Sequence, residues 1–208
     1  MEKVLDVYEK PINPEYPVVC FDERPCQLID DIVQPISAKE GQEKREDYHY
    51  KRNGTAVVLA AVEPLTGKRI IEVRKQKTKK DYSAFMQKVS EAYPNAKKII
   101  LIQDNLNTHN SSSFYENLPP NKAFDLSRRF CMVYTPKKAS WLNMAEIEFS
   151  ALSKQCLDRR IGDIDILKKE VQAWTRERNK KQIKIVWQFT KTKARKKFER
   201  LYTKILNN

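Results

Sequence analysis

The sequence predicts an α/β domain, a mixed β-sheet flanked by helices. Short aliphatic runs alternate with stretches of helical periodicity, in the order three strands, helix, strand, helices, strand, helices. Between two of the apolar runs, the connector Glu63-Pro-Leu-Thr-Gly67 signals a hairpin, so part of the sheet should be antiparallel. With 208 residues, the chain suits one domain with a sizeable core.

Residues 1–16 are polar and contain Pro11 and Pro14, and read as a linker or truncated end before a domain over 17–208. Val18-Val-Cys-Phe is a short strand leading into Asp22-Glu23. Residues 24–53, with Pro25, Pro35 and a polar run from Ala38 to Asp47, predict a loop-rich excursion with one short strand near 27–33. Arg52 and Asn53 precede Gly54 and read as turn residues. Thr55–Val62 and Lys68–Val73 form the hairpin arms. From Thr78 to Tyr93 the helical stripe is Tyr82, Phe85, Met86 and Val89, and Pro94 ends it. Ile99-Ile-Leu-Ile102 reads as a strand buried on both faces, ending at Asp104. A short helical piece, a helix from Pro119-Pro120 to about Arg129 and a strand over Phe130–Tyr134 follow. A helix entered near Asn143 runs to about Leu157, and another from Asp163 to Arg178 carries Ile164, Leu167, Val171 and Trp174. The terminal helix, about Thr192 to Ile205, sets Ala194, Phe198, Leu201 and Ile205 on one face.

The composition, 40% hydrophobic and 32% charged, is that of a soluble folded chain, and no apolar run approaches the ~20 residues of a membrane span. The N-terminus has no basic-then-apolar leader, which points to the cytoplasm. Cys20, Cys26, Cys131 and Cys156 form no CxxC pair and only two histidines are present, which argues against a zinc site. The net charge of +13 is unevenly spread: residues 1–50 hold 6 basic and 12 acidic side chains, residues 176–204 hold 12 basic and two acidic. Such a basic block is the footprint of a polyanionic partner, and a solvated helix face is the plainer alternative.

Asp22 and Asp104 each close an apolar strand, and neighbouring strands lie only about 5 Å apart. Asp104 also fits an ordinary turn aspartate. Of Glu146 and Glu148, only one can face the sheet, because successive helical residues turn by about 100°. Glu146 shares a face with Asn143, although Asn143-x-x-Glu146 also fits a capping box. Three such carboxylates beside a basic surface suit a hard divalent cation, and two ions about 4 Å apart can drive in-line phosphoryl displacement.

Several stretches carry a family resemblance: Phe21-Asp22-Glu23, Arg52-Asn53-Gly54-Thr55, Asp104-Asn105-Leu-Asn-Thr-His109, Tyr134-Thr-Pro136 and Ser140-Trp-Leu-Asn143-Met-Ala-Glu146-Ile-Glu148. The sequence resembles the catalytic domain of bacterial insertion-sequence transposases of the mariner-related DDE superfamily. The resemblance implies a ribonuclease H-like fold and a catalytic, metal-holding triad of Asp22, Asp104 and Glu146 with Mg²⁺ or Mn²⁺, two ions in all. It further implies cleavage of transposon ends by a metal-activated water and attack of the freed 3′-hydroxyl on target DNA. It departs from full-length relatives in lacking an N-terminal helix-turn-helix domain, so a separately encoded helix-turn-helix half is an expected partner, with DNA and a second copy of the chain. The resulting protein would associate with the nucleoid.

Asn105, His109 and Asn143 are candidates for supporting the carboxylates or touching phosphate, with turn-capping the alternative for His109. Trp141 reads as core packing under the Glu146 helix. Lys193, Arg195, Lys196, Lys197 and Arg200 are candidates for the DNA backbone rather than for bases. The competing function is a catalytically inactive DNA-binding or dimerisation remnant of a transposase.

Overall fold

A computed structural model of the chain describes residues 1–43, 45–137 and 139–200. Five strands, β1 (Val18–Asp31), β2 (Tyr50–Glu63), β3 (Lys68–Arg74), β4 (Ile99–Gln103) and β5 (Phe130–Tyr134), form one sheet in the order β3-β2-β1-β4-β5. β1, β2 and β3 are antiparallel, whereas β4 and β5 run parallel to β1. The helices are α1 (Glu2–Tyr8), α2 (Lys79–Glu91), α3 (Ser112–Asn117), α4 (Pro120–Arg129), α5 (Ala145–Gln155), α6 (Ile164–Lys180) and α7 (Lys191–Lys197).

Side chains that alternate along the strands feed two cores. Cys20, Val58, Ala60 and Ile102 belong to the core shared with α1, α5, α6 and α7, whereas Val19, Phe21, Leu59 and Leu101 meet α2, α3 and α4. The mixed sheet flanked by helices is thus the predicted architecture. Thr78 caps α2 in a reciprocal box with Asp81, and the β2–β3 connector closes on Gly67 at φ +77°. A side chain there would place its Cβ 2.7 Å from the backbone carbon of Gln182.

Four expectations are corrected. Residues 2–8 form a helix rather than extended linker, because Val4 and Leu5 are fully buried and the first proline comes only at Pro11. The loop-rich excursion is shorter than 24–53: the strand expected near 27–33 is the outer part of β1, and β1 and β2 continue through 24–31 and 50–54 with a bulge that leaves Asn53 unpaired between Arg52 and Gly54, the glycine at φ +119°. Arg52 and Asn53 are therefore strand residues. Pro25 does not stop β1, because odd-numbered residues turn their backbone away from β2: Pro17 O accepts the Ile100 N–H, and Ile29 N–H reaches Ile161 O. Trp141 is 46% exposed and meets Phe189 edge to face, so it is not a core residue. α7 covers the first part of the predicted terminal helix, and Leu201 and Ile205 lie outside the described residues.

Candidate active site

β1 pairs with β4 only from Val18 to Cys20. β4 stops at Gln103 while β1 runs on to Asp31, so the sheet forks. Asp104 follows the last residue of β4 on one side of the fork, and Asp22 lies two residues past the last β4-paired residue of β1. Asp22 is thus inside a long strand, not at a strand end, and meets Asp104 because its neighbour ends. With the parity of Cys20, it faces α5.

Asn143 brings the start of α5 to this point. Its Nδ2 donates to Phe21 O at 2.7 Å and to Asp22 Oδ2 at 3.3 Å, while its Oδ1 accepts the Ala145 N–H at 3.2 Å. The Asn143–Glu146 capping box does not form: the helix is capped at Met144 without a side-chain bond. Glu146 is exposed in the first turn of α5. Glu148 points away and is buried, gripped by Arg69 from β3 and Arg178 from α6, whose Nε lies 2.7 Å from Glu148 Oε1. A buried ion cluster on the far face of the helix thus occupies Glu148.

Burial pushes the Asp22 carboxyl up to about 6. The Glu146 and Asp104 carboxylates push in the same direction, while the Glu23 N–H, 2.8 Å from Asp22 Oδ1, and His109 oppose them. Asp22 on β1 thus feels carboxylates from the β4 end and from α5.

His109 is fully buried behind Asp104, its Nδ1 bonded to Asp104 Oδ1. Its Nε2 lies 3.5 Å from Glu23 Oε2, and Glu23 Oε1 lies 2.9 Å from Lys77 Nζ. Burial disfavours the imidazolium, but the Asp104 and Glu23 carboxylates outweigh it and push His109 up to about 9. Burial raises the Glu23 carboxyl, but His109 and Lys77 outweigh it and hold Glu23 below its ordinary range. His109 therefore neither caps the serine-rich turn nor faces solvent; it braces Asp104 from inside. Glu23 and Lys77 escaped sequence reasoning, since a strand glutamate and a lone lysine before α2 resemble any solvated pair. Asn105 is exposed on the loop after β4.

The basic candidates near the C-terminus are partly neutralised. Arg195 makes two 2.8 Å bonds to Glu2, Lys193 Nζ donates to the Gln188 carbonyl, and Lys197 lies 6.0 Å over the Phe189 ring. Lys196 and Arg200 are exposed.

Asp22, Asp104 and Glu146 supply oxygen donors of the kind hard cations take, and a cation would relieve their repulsion. Among the described residues no group of three His, Cys, Asp or Glu converges tightly enough to enclose one ion.

Comparison with curated proteins finds no match. Among solved structures, the chain is similar to the Mos1 mariner paired end complex with Mn, at a TM-score of 0.56 and 14% identity over 88% of this chain and 55% of that one. It is also similar to the Mos1 paired-end complex with left transposon end (TM-score 0.58, 13% identity, 88% and 55%) and to the Mos1 Strand Transfer Complex (0.57, 13%, 88% and 58%). The chain spans little more than half the length of those proteins, and at such identities the likeness establishes a shared fold, a ribonuclease H-like one. The family model for the DDE superfamily endonuclease matches residues 17–168, from the first residue before β1 into α6. Since that match takes in the forked sheet and all three carboxylates, the chain belongs to the DDE superfamily endonucleases.

Proposed function

We propose that the chain is the catalytic domain of a DNA transposase of the bacterial insertion-sequence type, cutting transposon ends and joining them to target DNA. Its catalytic and metal-holding residues are Asp22, Asp104 and Glu146. The observation that carries this reading is the fork, where Asp22 is buried against the charges of Asp104 and Glu146 inside the family-matched region. The Mos1 complexes with Mn and with Mg support divalent ions of that kind here, and we take them to be two. When bound, they supply Lewis-acid activation of water and stabilisation of the leaving oxygen. The chain's own residues hold the scaffold: Asn143 fixes α5 to Asp22, and His109 keeps one Asp104 oxygen turned inward. The partners are transposon-end and target DNA, a second copy of the chain and a separately encoded helix-turn-helix unit. The setting is the cytoplasm at the nucleoid; no described helix is long and apolar enough to cross a membrane.

The test is nicking of supercoiled plasmid in Mn²⁺ or Mg²⁺ by the wild type and Asp104→Asn. The expected result is nicking by the wild type, abolished in the variant while DNA retention on a filter survives. Equal nicking by both would assign the cleavage to a contaminant and remove the proposal. DNA retention with no nicking by either would favour the inactive remnant.

A further inference from the structure

A groove of about 480 Å³ opens beside Glu146, between α5 and the edge of β1 that β4 leaves free. Glu146, Ser150, Ser153 and Lys154 follow one another along α5 at spacings of four, three and one, which places them on one stripe facing Arg24 of β1. Arg24 Nη1 donates to Phe149 O at 3.0 Å and to Ser153 Oγ, which leaves the other guanidinium donors unengaged. Among the described residues neither Arg24 nor Lys154 forms an ion pair, whereas Arg69 and Arg178 on the far face of α5 share Glu148.

The free edge is unsuited to an added peptide strand. The N–H of Glu23 is taken by Asp22 Oδ1, Pro25 has none, and that of Ile29 goes to Ile161 O. What the groove offers is two cations without a carboxylate partner and the exposed Ser150 hydroxyl, leading away from a carboxylate cluster, while the Ser153 hydroxyl donates to Phe149 O at 2.6 Å. From Glu146 to Lys154 the helix rises about 12 Å, the axial length of three to four nucleotides of one strand. We propose that this groove seats the phosphodiester backbone of one DNA strand as it leaves the carboxylates, with Arg24, Ser150 and Lys154 contacting phosphate. The assignment rests on the transposase reading for its ligand, and it adds the path of the strand. Lysine and guanidinium contacts of this kind position a strand without reading its sequence.

The test measures binding of a fluorescein-labelled 30-base-pair duplex and of its single strand by anisotropy in EDTA, across a salt series, with every variant built on Asp104→Asn. The variants are Arg24→Gln, Lys154→Gln and Ser150→Glu, and the reference is Lys98→Gln, an exposed lysine before the opposite end of β4. Arg24→Gln and Lys154→Gln should each weaken binding about tenfold, as loss of a charge-assisted bond does. Each should also lower the salt slope by about one. Ser150→Glu should weaken binding at least as much. If Arg24→Gln fails to fold, the two exposed positions on α5 still decide the matter. Affinity and slope equal to the Lys98→Gln reference in Lys154→Gln and Ser150→Glu would overturn the groove assignment. Metal-free binding is read separately from nicking, so failure of cleavage leaves this outcome distinguishable.

Discussion

Asp22 combines a raised carboxyl with a fixed position, and the two together set a pH dependence. A carboxyl at about 6 in the folded chain, against an ordinary value near 3.8, holds its proton more tightly when folded than when unfolded. Its penalty is therefore absent below about pH 4, grows between pH 4 and 6, and is complete above that range. Metal-free Asp22→Asn should be more stable than the wild type at pH 7 by about 1–2 kcal/mol, with the gain vanishing by pH 4. Urea titrations in EDTA at stepped pH read this directly, and a gain independent of pH would remove the carboxylate crowding as its cause. The nearness of three carboxylates far apart in the chain was legible in the sequence as an expectation, and Asp22 does feel the charges of Asp104 and Glu146. The inward bracing by His109 was not legible, since a five-residue loop does not declare which way its histidine turns, and Glu23 and Lys77 acquire meaning only once that ring is buried between them.

At the scale of elements, α5 is set by two glutamates in opposite roles. Glu148 is buried between Arg69 of β3 and Arg178 of α6, so Glu148→Ala would leave the buried Arg69 guanidinium without its carboxylate. The expected loss is about 3–5 kcal/mol in the urea midpoint analysis, against under about 0.5 kcal/mol for exposed Glu146→Gln. Comparable losses for both would show that the buried cluster does not anchor the helix. Periodicity revealed α2, α5, α6 and the hairpin because each has one apolar face. It could not reveal the length of β1, whose outer half packs on only one strand neighbour and carries Pro25 and polar side chains. Nor did it mark α1, where a single turn of Val4, Leu5 and Val7 is too short for a stripe. Leu5→Ala should nevertheless cost about 2–5 kcal/mol, because its side chain is fully buried in the core shared with α5. A thermal midpoint unchanged from the wild type would return residues 1–16 to the status of a linker.

For the whole molecule, the net charge of +13 predicts steeply salt-dependent DNA binding with little regard for sequence. Measured between low and moderate salt, affinity should fall by orders of magnitude on any duplex; a flat profile would show that the basic residues serve the fold. The pairing of α7 with α1, through Arg195 with Glu2 and Lys191 with Asp6, reduces the share of that slope the last helix can supply. Exposed strand edges also recruit other copies of a chain, and a sheet with a fork exposes one by construction. Pro25 faces that edge. Pro25→Thr would restore a backbone donor in the middle of it, giving each molecule a surface on which a second could add its own strand. The substitution should thus lower solubility and raise light scattering at high protein concentration, making the proline a guard against self-pairing at the price of a shorter hydrogen-bond ladder.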